Sequence, residues 1–328
     1  MIPTAPQIGF DRFIQLDCVA AALKVRAGTA SLDELNELLD AAGLGNEAKI
    51  KTRTKLNALV LEPRSDLVDF INRGIELFSG AKPQQDAAGF AWGSALATYP
   101  YFGKVAEFTG RLTAMQGDCS MPEVHRRMSE LYGERGNIKT ATRAVIQTQV
   151  DWGAIRRVTK GNRIERLAPK PVADPMKVSW LIEAALRYHG KAMALATLQS
   201  TAVLYPFLLD LPLAFVISNS EALELRSEGP SQQFVALHRA AWRAQCGHVH
   251  YVGMAAHPGP QAKHPGASAV CQARELDVGR GSGHGLAGLH HQQGATGCHQ
   301  RQQLRQRSAP IGQHHQQRSG RHHVGATV

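Results

Sequence analysis

The side chains with the clearest chemistry in this 328-residue chain lie on one predicted helix, over residues 137–150. Its outward side carries Lys139, Thr140, Arg143 and Gln147. Its inward side, at the spacing of an amphipathic helix, carries Ile138, Ala141, Val145 and Thr148. Ammonium, guanidinium, hydroxyl and amide groups hydrogen bond to phosphate oxygens and to base edges in the major groove of DNA. The outward side is therefore a candidate surface for contacts with nucleic acid.

The helix that precedes residues 137–150 in the chain is expected to hold the 137–150 helix in place. Ser120, followed three residues later by Glu123, forms a capping box that predicts where this preceding helix begins. Gly133 and Gly136 indicate a break, and Asn137 is the expected N-cap of the following helix. The pattern predicts a helix, a tight turn and a second helix.

A predicted β-hairpin follows the 137–150 helix. Residues 154–159 and 163–167 read as two strands, and Lys160-Gly161-Asn162 is typical of a turn. Further cations lie on the hairpin and on the helix that begins after Ser120, namely Arg156, Arg157, Lys160, Arg163, Arg126 and Arg127. Residues 120–168 contain ten Lys/Arg and five Asp/Glu, a local excess of five positive charges. Six phosphate contacts from this set would give a salt dependence of about −5 in log K against log salt.

The order of these elements resembles the winged helix-turn-helix fold. The resemblance implies double-stranded DNA as the partner, with the 137–150 helix in the major groove and Lys139, Thr140, Arg143 and Gln147 nearest the bases. It also implies phosphate contacts from Arg156, Arg157, Lys160 and Arg163 on the hairpin, with Arg126 and Arg127 adding to them. The same fold also serves as a scaffold or docks protein, so a helical protein-interaction scaffold of a larger complex is the alternative.

Residues 10–168 resemble the BrxA-type proteins of bacterial phage-exclusion systems. The resemblance lies in the segment Lys51-Thr-Arg53-Thr-Lys55-Leu56 and in three later pairs, Ala91-Trp92, Tyr101-Phe102 and Glu107-Phe108, which precede the winged motif. It implies a defence-associated accessory protein that binds DNA. Transcription regulation is equally compatible with the motif.

The rest of the chain predicts a mainly α protein with small β-hairpins. We expect an N-terminal helical domain (1–118), the winged motif (119–170), a helical segment with a hairpin (171–238) and a tail (239–328). Within the first domain, residues 31–61 form a second helix-turn-helix candidate. Its cations, Lys49, Lys51, Arg53 and Lys55, indicate either a solvated helix or a second DNA contact.

The segment 171–238 ends in what resembles a second winged helix with an acidic hairpin. Glu221, Glu224 and Glu228 would repel phosphate, so we expect this segment to dock protein rather than DNA.

The positive charge of the chain is concentrated in the tail. The net charge is +10, and residues 239–328 carry ten Lys/Arg against two acids, which leaves 27 against 25 for residues 1–238. The tail is rich in Gly, Gln, His and Arg without an apolar period, which predicts a disordered or frame-shifted segment. A metal-binding tract is the other interpretation, with His290, His291, Cys298 and His299 as possible ligands.

The chemistry that the sequence lacks also narrows the function. Residues 1–238 contain no P-loop, no H-E-x-x-H and no G-x-S-x-G motif, so we expect a protein without enzymatic activity, cofactor or metal. The five cysteines have no C-x-x-C spacing, which favours a reduced cytoplasm. The most apolar run, 202–217, contains Pro206, Asp210 and Pro212 and is too short for a membrane span.

Overall fold

A computed structural model describes residues 7–80, 83–158, 162–228 and 232–238. The fold is mainly helical with small sets of strands, as the sequence predicts. The helices are α1 (Leu16–Arg26), α2 (Leu32–Ala41), α3 (Asn46–Leu56), α4 (Val68–Gly80), α5 (Pro83–Thr98), α6 (Pro100–Gln116), α7 (Met121–Tyr132), α8 (Gly136–Asp151), α9 (Pro175–His189), α10 (Leu195–Gln199) and α11 (Leu213–Ser218). The strands are β1 (Asp118–Ser120), β2 (Ile155–Val158), β3 (Arg163–Arg166), β4 (Lys170–Pro171), β5 (Met193–Ala194), β6 (Phe207–Leu208), β7 (Leu223–Ser227) and β8 (Gln233–Leu237).

The first helix begins later than its apolar pattern predicts. The sequence predicts a helix from Phe10, but α1 starts at Leu16 and residues 8–15 run without helical structure. The reason is that α8 and Trp152, the residue after it, form hydrogen bonds with the backbone of Ile14. The amide of Ile14 donates to Thr148 Oγ1 at 3.1 Å, and the indole N–H of Trp152 donates to the carbonyl of Ile14 at 3.0 Å. Phe10 and Ile14 are fully buried in the core as a result.

Trp180 of α9 joins α4, α5 and α9 at the centre of the N-terminal helices. Its indole ring stacks on Phe70 with 4.6 Å between ring centroids, and its N–H donates to the carbonyl of Phe70 at 2.9 Å. Gly93 of α5 lies against the other side of the indole, where a Cβ atom would overlap the ring. The tight contact between α5 and α9 therefore depends on the absence of a side chain at this position.

The C-terminal half of the described chain contains one arrangement twice. The first module runs α6, β1, α7, α8, β2 and β3, with strands in the order β1-β3-β2. The second runs α9, β5, α10, α11, β7 and β8, with strands in the order β5-β8-β7. Both sheets are antiparallel. Both predicted hairpins are present, whereas the short strands β1 and β5 that complete each sheet went unpredicted.

The second module has shorter elements than its sequence predicts. The apolar pattern predicts helices over 192–204 and 207–217. The first stretch is instead divided into β5, α10 and a 3₁₀ turn at Ala202–Leu204. The second contains the strand β6, which pairs in parallel with β4, and then α11. Pro206 and Pro212 interrupt this stretch, because proline cannot donate the backbone hydrogen bond that a continuous helix needs.

The two modules pack against each other through α6 and α8. Gly110 of α6 lies so close to the carbonyl of Ala202 that a Cβ atom would overlap it. Beside it, the hydroxyl of Tyr205 donates to Gln149 Oε1 of α8 at 3.0 Å, and both side chains are buried. The guanidinium of Arg166 lies over the ring of Tyr205 at 5.4 Å. These contacts fix the position of the first module against the second.

Candidate nucleic-acid interface

Side chains that hydrogen bond to backbone atoms shape the start of α7 and the turn between α7 and α8. Ser120 caps α7, since its Oγ accepts from the amide of Glu123 at 3.2 Å, as predicted. Gly133 takes a positive φ of 79° after the last turn of α7. The predicted cap Asn137 is wrong, because α8 begins one residue earlier and has no side-chain cap. Arg135 instead closes the turn by donating from Nε and Nη2 to the carbonyl of Tyr132, at 3.0 and 2.8 Å.

The faces of α8 are those that the sequence predicts. The buried side carries Ile138, Ala141, Thr142, Val145, Ile146, Thr148 and Gln149. The hydroxyl of Tyr101 in α6 lies 3.2 Å from the carbonyl of Ile138 and 2.8 Å from Thr142 Oγ1, which fixes the rotation of the helix. The exposed side carries Lys139, Thr140, Arg143 and Gln147. The structure thus brings all four predicted α8 residues to one surface.

The N-terminal half of α8 is the accessible half. At the C-terminal end, Thr148 bonds to Ile14, and Asp151 Oδ2 accepts from the amide of Leu16 at 2.7 Å. Trp152, which follows the helix, is buried. In helix-turn-helix proteins the N-terminal residues of the second helix are those that contact base edges. The free end of α8 is therefore the end that such a contact requires.

His125 of α7 supports this free end. Its Nε2 lies 3.1 Å from the carbonyl of Lys139 and must donate, since a carbonyl only accepts. Burial lowers the pKa of His125 below its ordinary value, and the charges of Lys139 and Arg143 lower it further. A lowered pKa favours the neutral imidazole, and the contribution of His125 that the geometry shows is this hydrogen bond. The sequence does not reveal this bond, because the carbonyl that His125 contacts belongs to the next helix.

The hairpin divides its arginines between two faces. The register of β2 and β3 sets Arg156 opposite Glu165, and Arg157 opposite Ile164. Side chains directly opposite each other share a face, and Ile164 is fully buried. Arg157 therefore lies on the face that turns toward the core, at its exposed end, whereas Arg156 lies on the outer face. The sequence predicts Arg156 and Arg157 on one surface, but the pleat of the strand places them on opposite faces.

Four of the predicted contact residues are already paired with carboxylates. The ion pairs are Arg126–Glu130, Arg127–Glu123, Arg156–Glu165 and Arg163–Asp118. The hydrogen bond from Arg163, with Nε 2.7 Å from Asp118 Oδ2, lowers the pKa of Asp118. Among the described residues of this surface, Lys139, Arg143 and Arg157 have no carboxylate partner. Lys160 lies outside the described residues.

The four cations of α3 are also engaged. Lys49 pairs with Asp40, Lys51 with Glu47 and Lys55 with Asp11, and Arg53 donates to Asn36 Oδ1 at 2.7 Å. Lys55 donates in addition to the carbonyl of Gly9 at 2.6 Å. These local partners favour a solvated helix over a second DNA contact in residues 31–61.

The second module lacks the chemistry of the first at the equivalent helix. The sequence of α11, LAFVIS, contains no charged residue, and its most exposed large side chain is Phe215. Glu221 and Glu228 are exposed beside it in the chain, and Glu224 pairs with Arg226 at 2.9 Å. An uncharged helix next to acidic residues offers phosphate no favourable contact.

Comparison with known proteins gives no match to this chain among family models, curated proteins or solved structures. Among the described helices, none is long and apolar enough to span a bilayer. Within the same residues no group of three or more His, Cys, Asp or Glu side chains is arranged to hold a metal ion. Cys18 and Cys119 are buried free thiols, and burial raises their pKa values to about 11 and about 12. A thiol held in its neutral form is a poor nucleophile.

Proposed function

We propose that the protein binds double-stranded DNA through a winged helix-turn-helix, without enzymatic activity of its own. The N-terminal half of α8 enters the major groove with Lys139, Thr140 and Arg143 at the base edges, and Gln147, one turn further along the same exposed side, extends this surface. Arg157 contacts the phosphate backbone from the hairpin. The observation that supports this most is that Lys139 and Arg143 stand on the exposed side of α8, in its N-terminal half, without carboxylate partners among the described residues. Side chains of this type at this position both attract and read DNA.

The cellular role in this proposal is regulation or defence. The resemblance of residues 10–168 to the BrxA-type proteins of phage-exclusion systems supports an accessory role in such a system, and a transcription regulator would use the same surface. Both would act in the cytoplasm, where their DNA lies.

The salt dependence of duplex binding tests the proposal. The three unpaired cations correspond to at most about −2.7 in log K against log salt, reached only if Lys139 and Arg143 neutralise phosphates as Arg157 does, compared with about −5 for the six phosphate contacts that the sequence predicts. The basic tail adds its own share, so the informative quantity is the difference between variants of the full chain. We expect Arg157→Ala to reduce the slope by about 0.9.

Arg156→Ala is the matched control, because Arg156 is adjacent in sequence but is paired with Glu165 on the other face. We expect it to leave the slope unchanged. Fluorescence anisotropy of a labelled duplex at several salt concentrations measures both variants. Equal slopes for Arg157→Ala and the wild type would contradict the assigned contact.

A second candidate function rests on the second module. Its uncharged α11, exposed Phe215 and acidic surroundings favour a scaffold that associates with protein. A scaffold without DNA contact would shift no duplex in a gel, and its association with a protein partner would be insensitive to salt.

A further inference from the structure

The outer face of the first module's sheet carries two arginines and two carboxylates. Asp118 on β1 lies opposite Glu165 on β3, and Glu165 lies opposite Arg156 on β2. Arg163, two residues before Glu165 on β3, is on the same face. Each arginine is bonded to one of the carboxylates, Arg163 to Asp118 and Arg156 to Glu165. The face is therefore neutral although half of its charged groups are cations.

We propose that this outer face is a second phosphate-binding surface whose arginines, Arg156 and Arg163, are held back by Glu165 and Asp118. The inference rests on the proposed function, since it concerns how tightly the same module can bind DNA. The partner is the phosphate backbone of a duplex, which presents the same planar pair of oxygens to a guanidinium as a carboxylate does.

The geometry of the Arg163–Asp118 pair carries the inference. Both Nε and Nη2 of Arg163 bond to the two oxygens of Asp118, so the donor fork that would grip a phosphate is filled. Asp118 reaches Arg163 from β1, 45 residues earlier in the chain. The strand β1 thus places Asp118, a carboxylate that competes with phosphate for Arg163, next to the β2–β3 hairpin.

The pairs remain open to exchange because they lie at the surface. The side chains of Arg156 and Arg163 are 66% and 47% exposed, while those of Glu165 and Asp118 are 25% and 30% exposed. Exposed ion pairs are weak, so a duplex already held by α8 and Arg157 can compete for these arginines. The competition lowers the affinity of the module below what its number of cations implies.

Removing the two carboxylates while keeping their shape tests this directly. We expect Asp118→Asn with Glu165→Gln, in the full chain, to bind a short synthetic duplex about tenfold more tightly, with a salt slope steeper by about 1.8. Arg156→Gln with Arg163→Gln alone should weaken wild-type binding, because it leaves Glu165 and Asp118 as uncompensated carboxylates on this face. The same two arginine changes should abolish the gain when added to Asp118→Asn and Glu165→Gln.

Glu224→Gln with Glu228→Gln is the matched control, because it removes two carboxylates from the second module, one on β7 and one directly after it. An equal gain in this control would mean that net charge alone is responsible, and would overturn the inference. Wild-type affinity for Asp118→Asn with Glu165→Gln would overturn it as well, while leaving the proposed function intact. Absence of duplex binding by every variant would overturn the proposed function, and with it this inference.

Discussion

Replacing Lys139 and Arg143 together by alanine should weaken duplex binding about hundredfold. Each is an unpaired cation on the accessible half of α8, and loss of one base or phosphate contact costs about 1–3 kcal/mol. The stability of the protein should be unaffected, since both side chains are exposed. Fluorescence anisotropy on a labelled duplex gives the affinity, and thermal unfolding followed by circular dichroism confirms that the fold is intact.

The control removes the same charge from another place. Lys51→Ala with Lys191→Ala takes away two exposed cations outside the first module. The net charge of the chain, including its basic tail, is then identical in the two variants. We expect this control to lose less than about threefold, because long-range attraction is screened at physiological salt. Comparable losses in both variants would show that binding depends on total charge and not on α8.

Replacing Glu183 by alanine should cause the largest loss of stability of any single change considered for this protein. Glu183 on α9 is almost fully buried and accepts from Arg73 of α4 at 2.7 and 2.8 Å. It also accepts from Nε and Nη2 of Arg187, at 3.0 and 2.8 Å. Arg187 is itself buried and lies over the ring of Phe70 at 5.2 Å. One carboxylate therefore compensates two guanidinium groups at the junction of α4 and α9.

Without Glu183, the buried guanidinium of Arg187 loses the carboxylate that accepts from its Nε and Nη2. Breaking a buried pair by removing one partner costs about 3–5 kcal/mol, because the remaining charge stays in a poorly solvated place. Urea unfolding measures this as a lower midpoint at constant slope. Glu183→Leu combined with Arg187→Leu should recover part of the loss, since replacing a buried pair by apolar residues is often close to neutral, whereas Arg73 still lacks its carboxylate.

Glu130→Ala is the matched control for Glu183→Ala. Glu130 also pairs with an arginine one helical turn away, Arg126, but both side chains are more than half exposed. An exposed pair contributes at most about 1 kcal/mol, so the control should remain close to wild type. If the two variants are equally stable, burial is not what makes the Glu183 network important.

The sequence predicts the first module well wherever a local period carries the information. The apolar residues of α8 recur at helical spacing, so its outward residues, Lys139 and Arg143 among them, could be assigned before the structure. The hairpin could be placed because its strands alternate and Gly161-Asn162 favours a turn. The second hairpin followed in the same way from the residues around 223–237.

What the sequence could not predict depends on residues that are distant in the chain. A three-residue strand such as β1 has no measurable period, and without it Asp118 has no visible relation to Arg163. The start of α1 is set by bonds from Ile14 to residues more than 130 positions later. Short strands and long-range partners therefore account for the errors, and they are also what divides the arginines into paired and unpaired groups.

The most direct measurement is a photo-crosslink from α8 to the duplex. A photoreactive amino acid is introduced in the full chain in place of Thr140, and separately in place of Phe215 on the equivalent helix of the second module; both positions are exposed. If α8 enters the major groove, position 140 should crosslink to duplex DNA and position 215 should not. A protein that binds the duplex yet crosslinks equally from both positions, or from 215 alone, would contradict the account.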